Sequence, residues 1–155
     1  MPTNPLNQFI AEHLPSIQAA GVSVTEHNDS ELIMTAPLAL NHNDRGNAFG
    51  GSIYNIAMMA CWGTLYLECI KHIDEPSLCK PNIVTRDGQI RYRHPCTEET
   101  IQVSCRQPNA RQWDGFFAHY EKTGKTSLSL TSKIMSGGEI CAYFEGVFVL
   151  LGDNG

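Results

Sequence analysis

The sequence predicts an α+β domain in which an antiparallel sheet wraps around one long central helix. No charged residue lies between Gly46 and Leu67, and from Ile53 onward this stretch is apolar on nearly every side. A helix that is hydrophobic all round has to be buried all round. The strand-like segments come in adjacent pairs, which favours hairpins over a doubly wound parallel sheet. With no repeat or linker in 155 residues, we expect a single domain over residues 1–155.

The chain before the central helix predicts a short helix and a hairpin. Its first apolar residues recur at helical spacing: Leu6, Phe9, Ile10, Leu14 and Ile17. Asn4 is placed to cap this helix, Pro5 suits its first position, and Pro15 should end or kink it. Residues 22–27 and 31–36 alternate as strands on either side of a polar turn.

The central helix should end near His72, and a loop marked by Pro76 and Pro81 should follow it. Residues 89–93 then alternate as a strand. A second strand contains Ile101, Val103 and Cys105. Four aromatic residues follow at i, i+3, i+4 and i+7, which predicts a short amphipathic helix: Trp113, Phe116, Phe117 and Tyr120.

The last two strands, residues 126–135 and 139–151, should form a hairpin around Gly137 and Gly138. A two-residue loop would place Leu130 opposite Glu145 and so mix apolar with polar faces. A three-residue loop, residues 136–138, would pair Leu130 with Phe144 and keep the faces separate. We therefore predict three loop residues, with a glycine in the left-handed region making a bulge.

Composition excludes several classes of protein. A formal net charge of −5 argues against a nucleic-acid partner or an anionic membrane surface. The helix is interrupted by polar and small residues, so we expect no membrane span, and the amino terminus resembles no export signal. No two of the six cysteines stand at C-x-x-C spacing, so we expect neither a metal site nor disulfides from Cys61, Cys69, Cys79, Cys96, Cys105 and Cys141. Four of them, Cys61, Cys69, Cys105 and Cys141, fall in apolar or strand-like runs, as expected of thiols packed in a cytoplasmic protein.

The start of the central helix is the strongest candidate for a site. Gly50 and Gly51 stand at its mouth, where another backbone or a ligand can come close. The first N–H groups of a helix have no partner within it and lie at the positive end of its dipole. Such a position can polarise a carbonyl group or hold an anion.

The residues in this region resemble a known family. The run of residues 43–52 (Asn-Asp-Arg-Gly-Asn-Ala-Phe-Gly-Gly-Ser), with Cys-Trp-Gly at 61–63 and a strand ending in Pro95, is similar to the YiiD-type thioesterase domain. That domain has the hot-dog fold, and the resemblance covers nearly the full chain. It implies hydrolysis of acyl-CoA or acyl-carrier-protein thioesters by a homodimer, or a dimer of dimers, with its sites at the subunit interface.

The resemblance also implies roles for single residues. The N–H of Gly51 would bind the thioester oxygen, and Asn43 matches an Asn that precedes the glycine pair in phenylacetate-type members. This chain departs from those members at two positions, with Phe49 in place of a His and Met58 in place of an acid. Methionine cannot activate water, so Asp44 becomes the candidate general base or nucleophile. Each of these loop residues has a structural alternative, because Asn and Asp also form turns.

Further residues are candidates for substrate contact. Four of them lie in or next to the glycine motif: Gly50, Asn47, Ser52 and Asn55. Arg91 and Arg93, with Lys80, Arg86 and Arg106 nearby in sequence, could meet the phosphates of coenzyme A, or could simply form a solvated strand face. We expect no metal and no separate cofactor, since coenzyme A or the acyl carrier arm enters as part of the substrate.

The sequence thus predicts a thioesterase that uses Asp44, Asn43 and Gly51. Two alternatives stay open. A dehydratase or hydratase of the same fold would use His42 with Asp44 as its acid–base pair. A binding module would hold acyl thioesters without turnover, and Met58 at the usual acid position is its best support.

Overall fold

The structure, a computed structural model, describes residues 4–72 and 81–152. Besides a 3₁₀ turn at Leu38–Leu40, four α-helices and six strands follow one another in the described chain: α1 (Pro5–His13), α2 (Pro15–Ala19), β1 (Ser23–His27), β2 (Glu31–Pro37), α3 (Gly50–His72), β3 (Asn82–Tyr92), β4 (Thr100–Arg106), α4 (Ala110–Thr123), β5 (Lys125–Ser136) and β6 (Glu139–Leu151). Pro76, Cys79 and Lys80, which the sequence analysis named, lie outside the described residues.

The six strands form one antiparallel sheet in the order β1-β2-β4-β5-β6-β3. Helix α3 packs against five of these strands and supplies the centre of the core. It is long and apolar enough to cross a membrane, but 67% of its most apolar window is buried within the protein, as in a core helix. The predicted sheet around a long central helix is therefore confirmed.

The short helices follow the signals in the sequence. The Asn4 side chain accepts a hydrogen bond from the N–H of Leu6 at 2.8 Å, and Pro15 separates α1 from α2. Asn109 and Gln112 close a reciprocal capping box at the start of α4, and Gly124 ends that helix at a φ of 78°. Trp113, together with Phe116 and Phe117, is buried under α4, as its aromatic spacing predicted.

The β5–β6 turn is shorter than we predicted. Gly137 and Gly138, at φ values of 59° and 83°, form a two-residue turn, and Ser136 pairs with Glu139. The bulge lies one step into the ladder, at Cys141, between the Ile134–Ala142 and Met135–Ile140 pairs. It shifts Leu130 to face Gly146 rather than Phe144. The faces therefore stay separate, as predicted, but the extra residue is in the strand and not in the loop.

Strand β3 is longer than the predicted residues 89–93, and Arg93 lies just beyond it. It begins at Asn82 and, among the strands that the structure describes, pairs with β6 alone, so it forms one edge of this sheet. A bulge between Thr85 and Asp87 interrupts that pairing. The side chains along this strand are largely exposed, with Val84 at 42% and Tyr92 at 53%.

Candidate functional site

The amino end of α3 presents backbone N–H groups at the protein surface. The first bond within the helix runs from the N–H of Ile53 to the Phe49 carbonyl at 3.0 Å. The N–H groups of Gly50, Gly51 and Ser52 precede this bond, so the helix itself gives them no acceptor. Gly51 is exposed at this end. The amino end of α3 can therefore offer donors and a positive dipole to a ligand.

Two aromatic side chains shape the glycine pair. A Cβ atom on Gly51 would lie 2.8 Å from Cε1 of Phe49, so the exposed Phe49 ring lies directly against this glycine. The Tyr92 hydroxyl donates to the Gly50 carbonyl at 2.8 Å and joins the end of β3 to the start of α3. The sequence analysis did not assign Tyr92 to the site. Its only sequence signal was that it shares a strand face with Ile90.

The loop before α3 is organised by Asn43. Its side-chain oxygen accepts hydrogen bonds from the N–H groups of Arg45 at 2.9 Å and Asn47 at 3.1 Å, and its own N–H donates to the Asn47 carbonyl. Gly46, at a φ of 82°, allows the chain to turn here. The structure thus shows Asn43 as a turn-forming residue, the structural alternative given above. Its amide oxygen already accepts hydrogen bonds within the loop.

Buried Asn41 anchors this loop to the rest of the protein. Its side-chain nitrogen donates to the carbonyls of Ala20 at 2.9 Å and Pro37 at 2.8 Å, while its own carbonyl accepts from the N–H of Phe49. The side chain is only 3% exposed. Because these bonds span the chain on both sides of the loop, Asn41 sets the position at which α3 begins.

Asp44 is exposed on the same loop, and its carboxylate forms no hydrogen bond or ion pair with the residues that the structure describes. His42, its partner in the hydratase alternative, has Nδ1 2.9 Å from the carbonyl of Asn43. The imidazole is thus engaged with its own loop. No hydrogen bond or ion pair from the described part of the chain therefore restrains the Asp44 side chain.

One stripe of α3 is left partly open by the other residues that the structure describes. Gly51 is exposed on it, and Asn55, Met58 and Trp62 follow at helical spacing, each half-buried. This corrects the expectation that α3 is buried on every side. The stripe lies next to β3, where the Trp62 indole nitrogen donates to the Ile83 carbonyl at 3.3 Å.

A cavity of about 220 Å³, here called the α3–β3 cavity, lies along this stripe. Asn55, Met58 and Trp62 line one side, Ile83 and Thr85 of β3 line another, and Ile17 and Leu14 close it. The Thr85 hydroxyl donates to the Met58 sulfur at 3.7 Å. Of the predicted site residues, Asn55 therefore lies in a mostly apolar cavity, and so does Met58, at the position where the sequence resemblance implied an acid.

Arg91 and Arg93 lie elsewhere. Tyr92 reaches the start of α3, so the strand alternation turns Arg91 to the opposite face of the sheet. There Arg91 lines a cleft of about 490 Å³ across the strands, here called the outer-sheet cleft, together with Glu31 and Glu145. Arg93 is exposed beyond the strand. The structure does not bring these two side chains to the glycine pair.

Three of the buried thiols, Cys61, Cys69 and Cys96, are poor candidates for nucleophiles. Burial raises the pKa of Cys69 and of Cys96 to about 12, and burial beside Cys105 raises the pKa of Cys61. A thiol with a raised pKa stays protonated and unreactive near neutral pH. The five cysteines that the structure describes are free and buried, in accord with a packing role.

Comparison with known proteins identifies the architecture. Residues 3–152 match the family model described as "Putative thioesterase (yiiD_Cterm)". A Chlorobaculum tepidum protein of unknown function is 34% identical in sequence, with 96% of this chain and 93% of that one covered and a TM-score of 0.87. A putative thioesterase from Shewanella oneidensis is 28% identical over 94% of both chains, with a TM-score of 0.81.

A more distant structure shares the fold. A thioesterase from Haemophilus influenzae is 12% identical, with 98% of this chain and 92% of that one covered and a TM-score of 0.70. The sheet and central helix described above are thus those of the hot-dog fold.

Proposed function

Because the chain belongs to the yiiD_Cterm family of putative thioesterases, we propose that it hydrolyses acyl-CoA or acyl-carrier-protein thioesters. Water would attack the carbonyl carbon, the C–S bond would break, and the products would be a carboxylic acid and a free thiol. The observation that carries this proposal is the exposed amino end of α3 beside the α3–β3 cavity. A reacting carbonyl would lie at the helix end, and its acyl group would extend along the stripe.

The Gly51 N–H is the proposed contact for the thioester oxygen. As water adds, negative charge develops on that oxygen, and a fixed N–H at a helix start stabilises it without reorganising. A single donor of this kind contributes on the order of 3 kcal/mol to the transition state. Gly50, Asn47 and Ser52 flank this contact and are proposed to position the substrate around it.

Asp44 is the proposed group that activates water. An exposed carboxylate can accept a proton at neutral pH, whereas Met58 and Asn55 cannot. We propose that Asn43 supports it by holding the loop, and that Asn55 orients the water. Asp44 of one subunit and Gly51 of another would then meet at a shared site.

A homodimer is the proposed assembly. Strand β3 is an edge with exposed side chains, and an unpaired edge of this length is a template for a second strand. The bulge at Arg86 should confine that pairing to the residues after it, 87–92, about a two-fold axis. The partner would then cover the open stripe of α3. A dimer of dimers and a cytoplasmic location remain predictions.

The test is thiol release from a panel of acyl-CoA and acyl-carrier thioesters. We expect turnover by the wild-type protein and a large fall in kcat for Asp44→Asn, with an unchanged melting temperature. Asp29→Asn serves as the control, because this exposed carboxylate lies in the turn between β1 and β2. Equal rates for wild type and Asp44→Asn would remove Asp44 from the mechanism.

Met58 supports a second candidate, a module that binds acyl thioesters without turnover. Tight acyl-CoA binding with no thiol released over hours would establish it in place of the hydrolase. Enoyl-thioester hydration is measured on the same samples. Hydration that depends on His42 and Asp44, without hydrolysis, would identify the hydratase instead.

A further inference from the structure

A large groove beside α4 carries positive charge. It encloses about 880 Å³ between α4 and the first residues of β5, and we call it the α4–β5 groove. Arg111 and His119 face it from α4, Lys125 from β5, and Arg86 from the bulge of β3. None of the described residues that line it is acidic, although the whole chain carries 16 acidic and 11 basic residues.

The described part of the chain does not neutralise the cations of this groove by ion pairing. Arg86, Arg111 and Lys125 form no ion pair with the residues that the structure describes. Asp114, also on α4, lines a different cleft beside Trp113. In the outer-sheet cleft, by contrast, the cations Arg91, Arg106 and Lys133 lie beside two acidic residues, Glu31 and Glu145. Unpaired cations around a concave surface suit a ligand with several negative charges.

The shape of the groove suits a small ligand. Arg111, Gly115 and His119 lie four residues apart on one side of α4, and a Cβ atom on Gly115 would meet nothing within 4 Å. Thr126 and Ser127 of β5 line the groove opposite α4. A concavity with a few polar groups is typical of small-molecule sites, whereas a docked protein needs a broader surface.

The groove adjoins the proposed reaction site through β3. Thr85 lines the α3–β3 cavity, and the next residue, Arg86, lines the α4–β5 groove. A ligand anchored by phosphates at Arg86 could therefore send a flexible arm past β3 towards the α3–β3 cavity. Coenzyme A has this form, with its phosphates at one end and its thiol at the other.

We propose that the α4–β5 groove binds the phosphate groups of coenzyme A through Arg86, Arg111 and Lys125, so that the substrate is an acyl-CoA. This inference rests on the proposed thioesterase function. It assigns the phosphates to this groove instead of to Arg91 and Arg93. The carrier-protein thioester then becomes the disfavoured substrate.

Binding and turnover test this proposal separately. By calorimetry, coenzyme A should bind much more tightly than pantetheine, which lacks the nucleotide and its phosphates. Arg111→Gln and Lys125→Gln should each weaken coenzyme A binding by about tenfold. Lys133→Gln, on the same strand but in the outer-sheet cleft, should leave it unchanged. Raised salt should reduce the difference between wild type and variants.

In turnover, the same two substitutions should raise KM for acyl-CoA about tenfold with little change in kcat. KM for an acyl-N-acetylcysteamine thioester, which has no phosphate, should not move. Equal affinity for coenzyme A and pantetheine would overturn the proposal. So would weaker coenzyme A binding in Arg91→Gln together with unchanged binding in Arg111→Gln and Lys125→Gln. A KM effect confined to carrier-protein substrates would also overturn it.

The two proposals fail in different ways. Hydrolysis of both thioesters without any dependence on the groove would leave the thioesterase standing and remove the phosphate site. If coenzyme A binding depended on the groove but no thioester were hydrolysed, the phosphate site would stand and the thioesterase proposal would be removed.

Discussion

The two cavities on either side of β3 differ in their chemistry. The α3–β3 cavity is lined by neutral side chains and lies next to the start of a buried helix. The α4–β5 groove, one residue further along the strand, is lined by Arg86 and other cations. Backbone donors can stabilise a developing charge without placing a full charge in an apolar site, whose burial would be costly. Phosphates are charged throughout, and an exposed groove can bind them while its own cations stay hydrated.

The largest expected effect on turnover comes from removing one backbone N–H donor at the start of α3, next to the α3–β3 cavity. Gly51→Pro removes the N–H at the second residue of α3, where the helix itself does not need it. We expect kcat to fall by about 10²–10³-fold with little change in KM. Gly51→Ala keeps the N–H and adds only a methyl group, against which the exposed Phe49 ring can move. If both variants lost activity equally, space at Gly51 and not its N–H would be the requirement.

Asn41→Ala should give the next largest effect, on the loop that leads to α3. It leaves the partly buried carbonyls of Ala20 and Pro37 without their donor, so we expect the free energy of unfolding to fall by about 1–3 kcal/mol in urea titration. His42→Ala, at an exposed neighbour with a bond inside the loop, is the control. Equal shifts in the two variants would show that Asn41 does not anchor the loop.

Met58→Trp tests whether the α3–β3 cavity holds the acyl chain of the substrate. The larger side chain should fill part of the 220 Å³, so kcat/KM should fall about tenfold for longer acyl chains and little for the shortest. A panel of acyl-CoA substrates of increasing length measures this. A uniform fall at every length would place the acyl chain elsewhere.

The smallest effect is expected at the cap of α4. Asn109→Ala removes the capping oxygen that accepts from the Gln112 N–H at 2.8 Å, at a cost of about 1 kcal/mol. Because α4 carries Arg111 and His119, coenzyme A binding should weaken slightly as well. Asn109→Ser should restore both properties, since Ser is also a good cap. Rescue of stability without rescue of binding would separate the cap from the groove.

Periodicity made the framework predictable. The charge-free run of α3 and the aromatic spacing of α4 each carry a strong helical signal, and the adjacent strands specified an antiparallel sheet. The β5–β6 hairpin shows the limit of this reasoning. Matching the apolar faces predicted which residues lie on the same side of the hairpin. A two-residue turn with a bulge at Cys141 and a three-residue turn without one both give that arrangement. Only tertiary packing separates the two.

Strand β3 and the clefts were harder to predict. Its first half contains Gly88, which resembles a turn residue, yet a side chain there would collide with the Tyr54 hydroxyl. Glycine is thus required by packing from α3, which the local sequence does not report. The α4–β5 groove joins residues from β3, α4 and β5, so their shared position follows from topology and has no sequence motif.

The most direct test of the central claim is a structure of the protein with a ketone analogue of an acyl-CoA, in which CH₂ replaces the thioester sulfur. We expect the ketone oxygen within about 2.7–3.1 Å of the Gly51 nitrogen, the acyl group in the α3–β3 cavity and the phosphates at Arg111 and Lys125. An analogue whose carbonyl oxygen points away from the start of α3 would contradict the account.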